Sequence, residues 1–137
     1  MSSVRFYAEL LGMRSRIDAV RQALSARVRP GDRVVEIGSG VGTFAFFAAR
    51  AGAEHVWAIE SRSVIRNAEA IAVEEGLADR ITFLKGTAPE VTLPGPVDLL
   101  IFEDFPIRFL DRNSYRMLRE ALEVYGVPEG ATVPSSG

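Results

Sequence analysis

Val34-Val35-Glu36-Ile37-Gly38-Ser39-Gly40-Val41-Gly42, running directly into Thr43-Phe44-Ala45-Phe46-Phe47-Ala48-Ala49-Arg50-Ala51, is the stretch that decides the fold. Val34, Val35 and Ile37 form a short β-branched run stopped by Gly38, which predicts a strand. Thr43 to Ala51 is apolar on nearly every side, as a helix buried against a sheet must be, and Gly52 suits the position just past its end. Glycines at 38, 40 and 42 allow a tight turn, close approach of a ligand to the backbone, and close packing of helix on strand. The helix start behind them presents free N–H groups that can hold an anionic group such as a ligand carboxylate. The bland alternative is that the glycines only shape a strand-to-helix turn.

Outward from this unit the same alternation continues. His55 to Ile59 predicts a second strand, Ser63 to Glu75 a helix ending at Gly76, and Ile81 to Leu84 a third strand. Val97 to Phe102 predicts a fourth strand, Arg112 to Tyr125 a helix, and Ala131 to Val133 a fifth strand. On the N-terminal side, Phe6, Leu10, Leu11, Ile17, Val20 and Leu24 recur at helical spacing, with Gly12 as a candidate break, and Pro30-Gly31-Asp32 is turn chemistry that ends the region. Strands and helices alternating in this way predict a Rossmann-like α/β fold: a doubly wound, mainly parallel sheet with flanking helices. Residues 1–30 are expected to form an N-terminal helical segment on a single core spanning 31–137. The pattern stops at the fifth strand, so a truncated or minimal version of the sheet is expected.

The 137 residues leave room for one domain. With 47% hydrophobic and 25% charged residues, the chain has an ordinary globular balance. The net charge of −2 gives no overall electrostatic pull toward nucleic acid or an anionic membrane. The absence of cysteine and the single histidine, His55, exclude a thiolate or histidine-rich metal site. No stretch approaches the roughly 20 apolar residues of a membrane span, and no signal-peptide pattern opens the chain. The chain reads as soluble and cytoplasmic.

A dinucleotide fingerprint reads G-x-G-x-x-G and needs glycine at 43, where this chain has Thr43. The loop is G-x-G-x-G instead, and Glu36 stands two residues before its first glycine. A carboxylate there suits the ammonium of an amino-acid ligand better than a pyrophosphate. Glu60 closes the second strand, 22 residues beyond Gly38, where a carboxylate can accept from both hydroxyls of a ribose. That supports a nucleoside ligand without choosing between NAD and its rivals.

These residues and their flanks resemble the class I S-adenosylmethionine (SAM) dependent methyltransferases, and within them the protein arginine N-methyltransferases. The resemblance runs through VVEIGSGVGTFAFFAARAGAEHVWAIE (34–60), EEGLADRITFLKGTAPEVTLPGPVDLLIFED (74–104) and GATVPS (130–135). It implies SAM as cofactor. Glu36 and the backbone from Gly38 through Ser39 and Gly40 to Gly42, with Thr43 at the helix start, would hold the methionine portion. Glu60, with Ser61 beside it, would hold the ribose. Ala88 and Glu90 would flank the adenine. Arg14, or its neighbour Arg16, would meet the SAM carboxylate, the competing reading being a solvated helix face.

The same resemblance implies a pair of loop glutamates that clamp a substrate guanidinium. Glu103 matches the first, and Asp104 stands beside it; together they are the expected catalytic residues. Where the second is expected, the chain has Arg112, next to Asp111. That departure leaves the acceptor open between protein arginine and a small molecule. Phe102-Glu103-Asp104-Phe105-Pro106 also differs from the N-P-P-Y type of enzymes acting on base or amide nitrogens. Arg108, Arg112, Arg116 and Arg119 share a helical spacing that reads first as a solvent-facing stripe. Rival readings are an NAD-type oxidoreductase, disfavoured by Thr43 and Glu36, and a non-catalytic SAM-binding module. The partner implied is a methyl acceptor; the oligomeric state is left open.

Overall fold

The structure, a computed structural model, describes residues 3–102 and 112–133, with side chains from 4 to 102 and from 115 to 133. In chain order its elements are α1 (Ser3–Arg27), β1 (Arg33–Ile37), α2 (Thr43–Arg50), β2 (His55–Glu60), α3 (Ile65–Glu74), β3 (Ile81–Lys85), β4 (Leu99–Ile101), α4 (Arg112–Val124) and β5 (Thr132–Val133). The five strands form one sheet in the order β3-β2-β1-β4-β5, with every neighbouring pair parallel. This is the doubly wound arrangement that the alternation predicts. The chain starts in the middle of the sheet, winds outward to β3, then returns to the other side of β1. The order therefore reverses beside β1, and in open α/β sheets the crevice at such a reversal, beyond the carboxyl ends of the strands, takes ligands.

Strand alternation sorts the core into two layers. Val34, Val56, Ala58, Leu99 and Ile101 face α1, α2 and α3. Val35, Ile37, Trp57, Ile59 and Leu100 face the other way, onto Ala121 and Tyr125 of α4 and the segment between β3 and β4. With both faces covered, the strands can be apolar on successive residues, which is why Val34, Val35, Leu100 and Ile101 are all fully buried.

Three expectations are corrected. Gly12 does not break the first helix, which runs unbroken from Ser3 to Arg27. A glycine costs a helix about 1 kcal/mol relative to alanine, but it keeps its N–H, so the hydrogen-bond ladder passes through it. The apolar series on that helix also divides. Val20 and Leu24 enter the core, whereas Phe6, Leu10 and Leu11 stay exposed. Finally, β4 is three residues rather than six. The chain around it stays tied down by Val97 N–H to Tyr125 O and Phe102 N–H to Val133 O, with Val97 buried and Phe102 half-buried beyond the strand proper. Among the described residues no helix is long and apolar enough to cross a membrane.

Leu24 is fully buried among the α1, α2 and sheet side chains and anchors α1 to the core. Leu24→Ala is expected to lower the unfolding free energy by about 2–5 kcal/mol, read from urea unfolding curves. A loss under half a kilocalorie would mean that α1 contributes little to the core.

Candidate functional site

The glycine turn is fixed by the end of β2. The carbonyl of Ile59 accepts from both Gly38 N–H (2.8 Å) and Ser39 N–H (3.0 Å), and Gly42 N–H closes the turn onto Ser39 O (2.8 Å). All three glycines lie at positive φ, from 56° to 91°, a region that side chains with a Cβ rarely enter. Their reasons differ. A Cβ on Gly42 would meet Phe46, Ala68 and Phe83 at 3.3–3.4 Å, so this glycine serves helix packing. At Gly38 there is nothing within 4 Å, and that backbone faces open space. Gly42 is also the N-cap of α2 and offers no side chain to cap it, so the first turn of the helix keeps donors for another partner.

Gly40 turns its N–H onto Glu60 Oε1 at 2.8 Å. The other oxygen of Glu60 accepts from Arg62 N–H and from the Arg62 Nε–H, both at 2.9 Å. Burial pushes the Glu60 carboxyl up, but the Arg62 side chain, the Arg62 amide and the Gly40 amide outweigh it and hold the group below the usual carboxylate range. Glu60 is thus a buried, ionised acceptor held at the rim of the turn.

Glu36 is held differently. Alternation along β1 turns it toward α2, on the same face of the sheet as Glu60. It is buried, and among the described residues its Oε1 has no hydrogen-bond partner; the hydroxyl of Ser39 is likewise buried and, among them, unpartnered. Desolvation raises its pKa to about 8, the backbone N–H of Ala45 in the first turn of α2 works against that, and the Glu60 charge adds to it. A buried carboxyl with an idle oxygen, on the strand leading into a turn that carries an idle hydroxyl and uncapped helix donors, suits a small zwitterion carrying both an ammonium and a carboxylate.

A cavity of about 260 Å³ opens at the carboxyl ends of the strands, lined by Ile37, Gly38, Ile59, Glu60, Ser61, Gly86, Thr87, Ala88, Phe102 and Met117. It brings together Gly38, Glu60, Ser61 and Ala88 of the residues expected from the sequence, with Gly40 hydrogen-bonded to its Glu60 wall and Glu36 on the α2 side of β1. Glu90 is not among the lining residues; it is exposed and accepts from Thr87 Oγ1 at 3.0 Å. Arg14 lies on the exposed stretch of α1, before the residues that pack into the core. Thr43 is the first residue of α2, half-buried. Glu103, Asp104, Arg108 and Asp111 lie outside the described residues, and of Arg112 only the helical backbone is described. Arg116 and Arg119 are exposed, in keeping with a solvent-facing stripe. They border a larger recess of about 850 Å³ between α4 and β5, away from the glycine turn. Sequence reasoning missed Arg62 and the apolar lining by Phe102 and Met117. A basic residue two positions after a strand-end acid was the available signal for Arg62.

No protein-family model matches the chain. In sequence it is 34% identical over 106 residues to the ribosomal protein arginine N-methyltransferase rmt3 of Schizosaccharomyces pombe, a match covering 77% of this chain and 20% of that protein. It is 42% identical over 102 residues to protein arginine N-methyltransferase 1 of Chlamydomonas reinhardtii, covering 74% of this chain and 30% of the relative. The chain therefore spans less than a third of the length of these relatives. Among solved structures, protein arginine methyltransferase 10 of Arabidopsis thaliana superposes with a TM-score of 0.73 at 26% identity, over 80% of this chain and 32% of that one. A Trypanosoma brucei PRMT1 enzyme-prozyme complex with AdoHcy (S-adenosylhomocysteine, SAH) superposes at 0.65 and 28% identity, over 85% of this chain and 35% of that one.

The raised pKa of Glu36 has a definite sign in stability. Between its ordinary value of 4.5 and about 8, the folded chain keeps a proton that the unfolded chain has released. The contribution of this group is complete below about 4.5 and is lost as pH rises through about 8. Wild-type stability, measured relative to Glu36→Gln, is expected to fall by a few kcal/mol, in order of magnitude, from pH 5 to pH 8.5. Parallel pH profiles for the two proteins in chemical denaturation would show that Glu36 is ionised throughout.

Proposed function

Because this chain has the class I SAM-dependent methyltransferase fold and is most like the protein arginine N-methyltransferases over part of their length, we propose that it is the SAM-binding part of an enzyme methylating an arginine-like acceptor. The observation that carries this reading is the joint between the glycine turn and Glu60. One short loop presents open backbone at Gly38 and, through Gly40, a fixed carboxylate at the rim of a half-open cavity.

When bound, SAM supplies an activated methyl on a positively charged sulfur. The residues present suit such a guest. Glu60 offers its carboxylate to the ribose hydroxyls, and Ile37, Ile59, Ala88, Phe102 and Met117 offer an apolar wall to the base. Glu36 and Ser39 are buried with idle oxygens close to the turn, where the methionine end needs polar partners. An ammonium beside Glu36 favours the ionised carboxylate and draws its pKa down from about 8. Ser61 stands at the cavity mouth, and Arg14 remains a candidate for the carboxylate on the strength of the family resemblance alone, as does Glu90 for the adenine.

Glu103 follows Phe102, which lines the cavity. Its proposed task is to orient the acceptor nitrogen and to stabilise its positive charge as the methyl arrives, with Asp104 in support. Alignment of this kind can lower a barrier by several kcal/mol, up to about 7–11 in well-ordered systems.

Calorimetric titration of the folded chain should show binding of SAM and SAH and none of NADH. A chain with a native circular dichroism spectrum that ignores both SAM and SAH would overturn the cofactor assignment. Glu60→Ala should weaken SAH binding at least about tenfold, since hydrogen bonds to a charged acceptor are worth about 1.5–3 kcal/mol each. With an arginine-bearing peptide and tritiated methyl donor, Glu103→Gln in the full-length enzyme should cut turnover at unchanged SAM affinity. Equal turnover would remove Glu103 from the mechanism.

A further inference from the structure

Arg62 sits where the ribose is expected. Its side chain is 73% exposed, while that of the Glu60 it holds is 4% exposed. Its Nη2 lies 3.9 Å from the position that a Cβ on Gly40 would take, so the guanidinium lies over the glycine turn itself. Among the described residues, Glu60 is its side chain's one partner.

The acceptor capacity of Glu60 is what makes this consequential. Each carboxylate oxygen accepts about two hydrogen bonds. Oε1 accepts one, from Gly40 N–H, and retains one site. Oε2 accepts two, from the amide and the side chain of Arg62, and is filled. A ribose diol bound in bidentate fashion needs one free site on each oxygen. The Arg62 amide belongs to the turn after β2 and stays in place. The guanidinium, held to Glu60 through its Nε and otherwise largely exposed, is the group that can leave.

We propose that Arg62 is a gate on the ribose subsite: its guanidinium stands in for one ribose hydroxyl in the empty site and swings into solvent when the cofactor arrives. This rests on the cofactor reading above and adds to it a residue that sets affinity. In the empty protein the contact keeps a buried carboxylate paired. On binding, the diol replaces it, so the affinity observed is lower than the contacts in the site alone would provide.

Titration of wild type, Arg62→Ala and Arg62→Gln with SAH and with adenosine tests this. Adenosine, being uncharged, separates the gate from any attraction between Arg62 and the SAH carboxylate. Both variants should bind both ligands about three- to tenfold more tightly than wild type, the worth of one net hydrogen bond. Of 2′- and 3′-deoxyadenosine, each with one of the two hydroxyls, the one whose hydroxyl meets the site left open on Oε1 should bind unchanged. The unliganded variants should melt below wild type, and the SAH-saturated proteins should melt together. If wild type binds SAH and the variants bind it equally or more weakly, the gate is wrong and the cofactor reading stands. If both deoxyadenosines gain as much as adenosine, the diol is not what Arg62 excludes and the gate is again wrong. If no protein binds SAH, the cofactor reading falls and takes the gate with it.

Discussion

The carbonyl of Ile59, accepting at once from Gly38 N–H and Ser39 N–H, is the contact on which the site depends. It joins the turn after β1 to the last residues of β2, so two elements adjacent in the sheet also share their carboxyl ends. The next residue, Glu60, is thereby delivered to Gly40 N–H. Only a backbone free to take positive φ at 38, 40 and 42 can place these N–H groups along one edge of the turn. A Cβ at 42 would also sit tightly against Phe46, Ala68 and Phe83, where α2, α3 and β3 meet. The shape of the ligand cradle and the packing of the first βαβ unit are therefore set by the same few peptides.

From that joint follows the contrast between the two buried carboxyls. Glu36 and Glu60 lie on one face of neighbouring strands, both removed from water. Glu60 is met by three donors and remains ionised; Glu36 is met by the Ala45 amide, has an idle oxygen and feels the charge of its neighbour. Two like groups in one low-dielectric region are driven apart in pKa, one becoming a fixed acceptor and the other a proton holder that a cation can convert. On the proposed reading, a ligand bearing both a diol and an ammonium would use each in the state in which the fold leaves it. The stability of the empty protein and its readiness for ligand are thus coupled through a pair of side chains rather than through the sheet as a whole.

The architecture was largely legible because its causes are local and periodic. β-branched runs of 3–6 residues, stopped by glycine or a turn, mark the strands, and the all-round apolar 43–51 marks a helix sandwiched on a sheet. Where reading failed, competition was tertiary. Phe6, Leu10 and Leu11 have the spacing of a core face, yet no described element covers them; Val20 and Leu24 have the same spacing and are buried. Periodicity states that a helix has an apolar stripe and says nothing of where along it the neighbouring layer ends. The length of β4 escaped for a related reason, since Val97 and Phe102 are held by backbone hydrogen bonds to Tyr125 and Val133, which lie far along the chain.

The sequence by itself determined the order of elements, the positive-φ turn and the placing of an acid at the end of each of the first two strands. These are properties of neighbours along the chain: steric freedom, side-chain alternation and spacing. Only the tertiary structure decided how far each acid is satisfied: it adds Gly40 N–H to the two donors that Glu60 finds along the chain in Arg62, and for Glu36 it supplies the Ala45 amide of the first turn of α2. It also shows the Arg62 side chain on Glu60, the carboxylate proposed to meet the ribose, and leaves Glu90 on its own turn, hydrogen-bonded to Thr87. Desolvation and hydrogen-bond competition arise from what surrounds a group in space, and that neighbourhood exists only once the strands have paired and the helices have packed on them.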